Sequence, residues 1–192
     1  MLMPLVRQLG IVPAYLLALC ALSFFASAQT SAFNTFDPPG SIATMPNSIN
    51  EAAEIVGYFF DGQDFHGFLR GRDGTFTILD YPGGRATTPV SINSAGTISG
   101  YYFEGTFVAH GFVRTRNGGF ISFDPVGSTQ TIPACANAAG VISGTYYDEN
   151  YANHGFIRGR DGSITIFDVP GANGISVGCI NNAGEILGAY SE

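Results

Sequence analysis

His66-Gly67-Phe68-Leu69-Arg70-Gly71-Arg72-Asp73-Gly74 returns as His110-Gly111-Phe112-Val113-Arg114-Thr115-Arg116-Asn117-Gly118, and again as His154-Gly155-Phe156-Ile157-Arg158-Gly159-Arg160-Asp161-Gly162. The interval is 44 residues both times, and these triplets hold the chain's only three histidines. A constant interval of that size marks a repeat architecture, whose units bury their apolar faces against one another. Each copy runs on through an apolar stretch to an aspartate, at Asp80, Asp124 and Asp168. Phe36-Asp37-Pro38-Pro39-Gly40 is an earlier copy of that ending. A second block follows each aspartate, with Ile49-Asn50, Ile92-Asn93, Ala136-Asn137 and Ile180-Asn181 in register. It closes on Gly57, Gly100, Gly144 and Gly188.

These blocks read as strands. Asp-Gly and Asn-Gly between apolar runs are strong hairpin signals, because both residues tolerate positive φ. The Asn-x-x-Gly turns join a short strand, such as 90–93, to a longer one, such as 97–103. Pro46, Pro89 and Pro133 stand before the short strand, where a residue without a ladder donor marks a start or an edge. Each repeat therefore predicts four short antiparallel strands, and no 3.6-residue apolar pattern after residue 33 is long enough for a helix. Phe76-Thr77-Ile78-Leu79 and Phe120-Ile121-Ser122-Phe123 do not alternate cleanly, as a sheet with one wet face should. The pattern suits a sheet buried between two others. The expected fold class is all-β, a β-propeller-like array of four-stranded antiparallel blades, with a β-solenoid or sandwich as the alternative. Three full units span 43–80, 86–124 and 130–168. A lone strand at 33–37 and a strand pair at 176–190 lie outside them, and in a ring these could share a fourth blade.

Residues 1–28 read as a signal peptide: Arg7, the apolar run 11–25, then Ala26-Ser27-Ala28. That run falls short of the roughly 20 residues that span a bilayer. The expectation is a secreted protein, periplasmic or extracellular, with a single repeat domain over 29–192 and no membrane span after cleavage. Without Arg7 the chain carries fifteen acids against seven arginines, a net charge of −8, and no lysine. Such a surface argues against nucleic acid and anionic lipid as partners. Cys135 and Cys179 occupy equivalent positions of neighbouring repeats, where Ser48 and Ser91 stand earlier. A small buried position is the favoured reading. A disulfide is disfavoured, because equivalent positions in neighbouring blades are expected to lie beyond its short Cα separation.

The triplets, with the Phe-Asp-x-Pro-Gly and Ile-Asn-x-x-Gly elements, resemble the bacterial HAF repeat family, named for His-Ala-Phe. The triplet here is His-Gly-Phe in every copy, and Leu79 and Val126 depart from the companion element. The resemblance covers residues 33–192 and implies an extracellular bacterial protein. It brings no established activity and no catalytic residues.

Candidate sites follow from the repeat. His66, His110 and His154 are expected to bond within their own blades to Asp80, Asp124 and Asp168, a structural role shared with Asn93, Asn137 and Asn181; a metal site is the weaker alternative. The arginine pairs, Arg114 and Arg116 among them, offer a carboxylate or phosphate reader, against ion pairing with Asp73 and Asp161. Aromatic residues concentrate in one expected loop of each repeat, where Tyr102, Tyr147 and Tyr151 suit recognition of a sugar or protein, against the favoured reading that these rings fill the space between blades. No catalytic residue, cofactor or metal ligand is assigned. The favoured function is binding or structural, with a glycan or envelope protein as partner and a homo-oligomer completing the ring. A glycan-active enzyme, and a non-functional fragment of a longer array, are the alternatives.

Overall fold

The computed structural model describes residues 33–105 and 107–192; the signal-peptide reading of 1–28 lies outside the described residues. Three sheets are built in the same way. The first holds β1 (Ala43–Ile49), β2 (Ile55–Phe60), β3 (Phe65–Arg70) and β4 (Phe76–Ile78). The second holds β5 (Arg85–Ile92), β6 (Ile98–Glu104), β7 (Val108–Arg114) and β8 (Phe120–Phe123). The third holds β9 (Gln130–Ala136), β10 (Ile142–Tyr147), β11 (Asn153–Arg158) and β12 (Ile164–Phe167). Strands pair in sequence order, all antiparallel. A two-stranded sheet of β13 (Gly174–Ile180) and β14 (Ile186–Ser191) follows. No helix occurs among the described residues, so none is long and apolar enough to cross a membrane.

The turn chemistry explains the hairpins. Between β3 and β4, Gly74 sits at φ 88°, and the Asp73 carboxylate accepts from the Thr75 amide at 3.0 Å and the Thr75 hydroxyl at 2.7 Å. Asp161 does the same for Ser163 before β12. The first strand of every sheet carries a register shift just after its proline or, in β13, after Val177. The facing strand must come close to this bulge. A Cβ on Gly144 would lie 2.5 Å from the Ile132 carbonyl oxygen and 2.5 Å from the Phe156 ring. That is why glycine closes the second block.

The core lies between sheets. Val56, Phe68, Ile98, Phe112, Ile142 and Phe156 are fully buried. Burying one such side chain is worth about 2–3 kcal/mol. The residue ending one sheet packs on the triplet phenylalanine of the next, as Phe123 does on Phe156 at 5.8 Å. Phe36 packs likewise on Phe68 at 6.2 Å, but 33–37 is not a strand. Phe36 thus covers the first sheet, and β13 and β14 form a sheet without it. A second expectation also fails: the fourth strands are outer strands, with Ile78, Ile121 and Ile166 about half exposed. Their loose alternation does not report burial on both faces.

The inner strands β1, β5, β9 and β13 are neighbours in space. The Asn50 amide donates to the Asn93 carbonyl (3.2 Å), Asn93 to Asn137 (2.9 Å) and Asn137 to Asn181 (3.0 Å). Beside this ladder the Ser48 hydroxyl accepts from the Ile92 amide, and Ser91 from Ala136. Cys135 and Cys179 continue the same row, and they form a disulfide with Cα atoms 4.8 Å apart. This corrects the expectation from sequence. Strands diverge outward from the centre of such an array, but at the innermost strand equivalent positions remain within bonding reach. Nor is the position uniformly buried, since Cys179 is exposed. The bond closes a 44-residue separation, and replacing both cysteines by serine is expected to lower unfolding stability by about 2–4 kcal/mol in denaturant titrations. Equal stability of the oxidised protein and the double variant would contradict that role.

Candidate functional site

Each histidine sits at the outer rim of its sheet, opposite an aromatic residue on the neighbouring strand. The registers are Phe59 to His66, Tyr102 to His110 and Tyr146 to His154, with ring centroids 5.4, 5.4 and 5.1 Å apart. Nδ1 faces the aspartate that follows the fourth strand: Asp80 at 2.8 Å, Asp124 at 2.7 Å and Asp168 at 2.8 Å. Nε2 faces a second carboxylate at the end of the second strand: Asp61 at 3.4 Å, Glu104 at 3.2 Å and Asp148 at 3.7 Å. Those second acids were missed from sequence. Their signal was an acid five or six residues before each histidine, blurred by the unequal loops between.

The aspartates also tie one repeat to the next. Asp124 accepts from the hydroxyl of Thr131 on β9, and Asp37 accepts from Thr44 on β1 at 2.7 Å. Asn93, Asn137 and Asn181 each hold their own turn through Oδ1, and Asn93 and Asn137 reach the following sheet through Nδ2. Among the described residues no cluster of three or more His, Cys, Asp or Glu side chains is placed to hold a metal ion.

The aromatic residues are not where the sequence suggested. Tyr102 and Tyr147 lie on strands β6 and β10, not in a loop. Tyr102 is buried, stacked on Tyr81 at 3.7 Å with its hydroxyl 3.1 Å from Ser122. Burial pushes its phenol pKa up. This corrects its placement at a binding surface: the ring packs against His110 on the neighbouring strand and stacks on Tyr81 in the loop before β5. Tyr147 is half-buried and lines a cavity of about 180 Å³ with Asn153 and Val177. Tyr151 alone of the three stands free, 77% exposed, in the turn between β10 and β11.

Of the two candidate arginines, Arg114 lies over the Phe120 ring at 5.8 Å, and Arg116 reaches Glu54 of the first sheet at 3.6 Å. Arg70 and Arg158 stack in the same manner on Phe36 and Phe123, at 5.0 and 4.9 Å. One arginine of each pair is thus an inter-strand or inter-sheet filler. Asp73 and Asp161 are spent on their own turns.

A cleft of about 380 Å³ opens between the second and third sheets, where Thr97, Val113, Ile121, Ala138, Arg158 and Arg160 contribute to its wall. A groove of about 400 Å³ carries His66, Asp61 and Asp80 beside Phe59.

No family model matches the chain, and no curated protein does. Among solved structures it is similar to one described as a streptogramin B lyase structure, with a TM-score of 0.52 and 18% identity over 81% of this chain and 51% of that one. The chain spans about half the length of that structure. At this identity the likeness shows the fold alone, and it places the protein in the class of all-β, propeller-like arrays of four-stranded antiparallel sheets.

The rim geometry has a pH signature. Burial opposes the charged form of His66, but the Asp80 hydrogen bond and charge, followed by Asp61, outweigh it and hold its pKa above the ordinary value. Asp61 is held below its ordinary value by the Asp64 and Gln63 amides and by His66. The histidine contribution is therefore complete below the unfolded pKa and is lost as pH rises through the folded one; that of Asp61 is lost only in acid. Raising the pH from about 6 to about 8 should lower the urea midpoint of the wild-type protein more than that of His66→Gln. Parallel curves would remove the charged pair from the account.

Proposed function

We propose that this is an exported ligand-binding module of propeller type, periplasmic or extracellular, that engages a glycan or an envelope protein through the turn between β10 and β11. The observation that carries this reading is Tyr151. It closes the turn, 77% exposed and at φ 61°. The matching turns place Gly62 and Gly105 at positive φ. A bulky residue there is uncommon and costs conformational energy. Asp148 maintains it, accepting from the amides of Asn150 at 2.8 Å and Ala152 at 2.9 Å, while the Tyr151 amide donates to the Asp148 carbonyl at 3.1 Å. A ring held out in water at such a cost supports a surface that recognises something, by stacking on a sugar or filling a protein pocket. The signal-like N-terminus and the resemblance to HAF repeats support a location outside the cytoplasm for that surface.

Retention on glycan and envelope-protein arrays tests it. Tyr151→Ala should reduce retention by about tenfold, the scale of losing one aromatic anchor, with Tyr147→Ala weaker. Equal retention of the wild type and both variants would sink the reading. A glycan-active enzyme is the second reading, favoured by the groove at His66, Asp61 and Asp80; turnover of a retained glycan, lost in His66→Ala, would favour it instead.

The finer architecture belongs to the same proposal. The sheets act as blades, and a second copy of the chain completes the ring. In support, among the described residues β14 pairs only with β13, and Leu187 and Tyr190 on it are exposed. Light scattering of the folded protein should give the mass of a dimer; a folded monomer at micromolar concentration would exclude a shared ring.

A further inference from the structure

The cleft between the second and third sheets is the place where the repeat's own charge pairing lapses. Between the first and second sheets, Arg116 meets Glu54 at 3.6 Å. Glu54 follows Asn50 by four residues, and its amide donates to the Asn50 Oδ1 at 2.9 Å. The corresponding residue one sheet on is Thr97, whose amide donates to the Asn93 Oδ1 at 2.9 Å. The backbone is thus the same at both places, but the carboxylate is gone. Arg160, which corresponds to Arg116, is exposed at the cleft and has no carboxylate within 4.0 Å among the described residues.

Arg158 shares that wall and is only 7% exposed. Its guanidinium lies over the Phe123 ring, Nη1 donates to the Gly159 carbonyl at 3.1 Å, and Nε is buried without a partner, as is Nε of Arg70 in the first sheet. The nearest acid in sequence, Asp161, spends its carboxylate on Ser163. The two guanidinium groups concentrate positive charge on one cleft of a chain of net charge −7. Val113, Ile121, Ala138 and Ala139 supply an apolar wall beside them. The volume, about 380 Å³, lies in the range of small-ligand sites.

We propose that this cleft binds a small organic oxyanion, its carboxylate or sulfate held by Arg158 and Arg160 and its carbon skeleton laid on the apolar wall. The guanidinium fork matches either group with paired hydrogen bonds. The site stands apart from the proposed recognition turn, because Arg158 and Tyr151 mark opposite ends of the β10–β11 pairing. Failure at one therefore leaves the other untouched.

Internal comparison supplies the test. Calorimetric titrations of the oxidised protein would use galacturonate, sodium sulfate and, as the uncharged counterpart, galactose. One equivalent of galacturonate should bind, with sulfate competing and galactose silent. Thr97→Glu restores the carboxylate that the first sheet already carries, and should weaken galacturonate by at least about tenfold with no loss of melting temperature. Arg160→Gln should weaken it as well. Absence of binding at millimolar galacturonate, equal binding of galactose, or unchanged affinity in a folded Thr97→Glu protein would each overturn the assignment.

Discussion

A single side-chain amide bond, repeated along the inner strands, holds the array in register. Each asparagine of the second block accepts from the amides of its own turn, and Asn50, Asn93 and Asn137 donate to the backbone of the following sheet. Asn93 and Asn137 are buried. Truncating either would strand acceptors and donors away from water, the costly form of a lost hydrogen bond. The same residue thus shapes a local turn and sets the distance to its neighbour. The serine contacts and the Cys135–Cys179 bond follow that spacing along one row.

The outer rim adds a second, weaker tie. Each histidine is flanked by an aromatic ring and two carboxylates, and two of the aspartate positions reach forward to a threonine of the next first strand. Inner amide ladder, buried aromatic layer and charged rim all connect one sheet to the next. The stability of any sheet therefore depends on its neighbours, as expected of a stacked array. This arrangement also accounts for the glycine in every triplet. A Cβ on Gly111 would lie 2.9 Å from both the Phe123 ring and the Thr131 methyl group. An alanine in the triplet would meet those atoms here.

Identity between repeats serves the scaffold, and differences between them mark the places where a ligand could be met. Tyr151 takes up a positive φ in its turn, a conformation that glycine supplies in the other two turns, and Thr97 stands where the first sheet has Glu54. In both cases a scaffold contact or an easy backbone is given up. The histidines, though chemically the most conspicuous residues, are engaged on both ring nitrogens' sides by carboxylates. Their uniformity between repeats goes with a shared structural environment.

The 44-residue interval, the turn chemistry and the proline positions were sufficient to read strands, hairpins and four-stranded units directly from the chain, because these depend on local backbone preference. The spacing of each histidine from its aspartate was legible for the same reason, since a hairpin of known length brings them side by side. Contacts between repeats were not. Tyr102 reads as a polar aromatic beside a turn, and only tertiary packing shows that its ring lies against Tyr81 and His110. Cys135 and Cys179 look too distant for a bond until the inner strands are seen at 4.8 Å. The loss of Glu54's carboxylate at Thr97 is visible in sequence as one substitution among many. It acquires meaning only because folding places Arg158 and Arg160 on the same cleft. Distances along a strand are set by covalent geometry, and the sequence alone determined those. Distances between sheets are set by the packing of side chains far apart in the chain, and only the tertiary structure decided them.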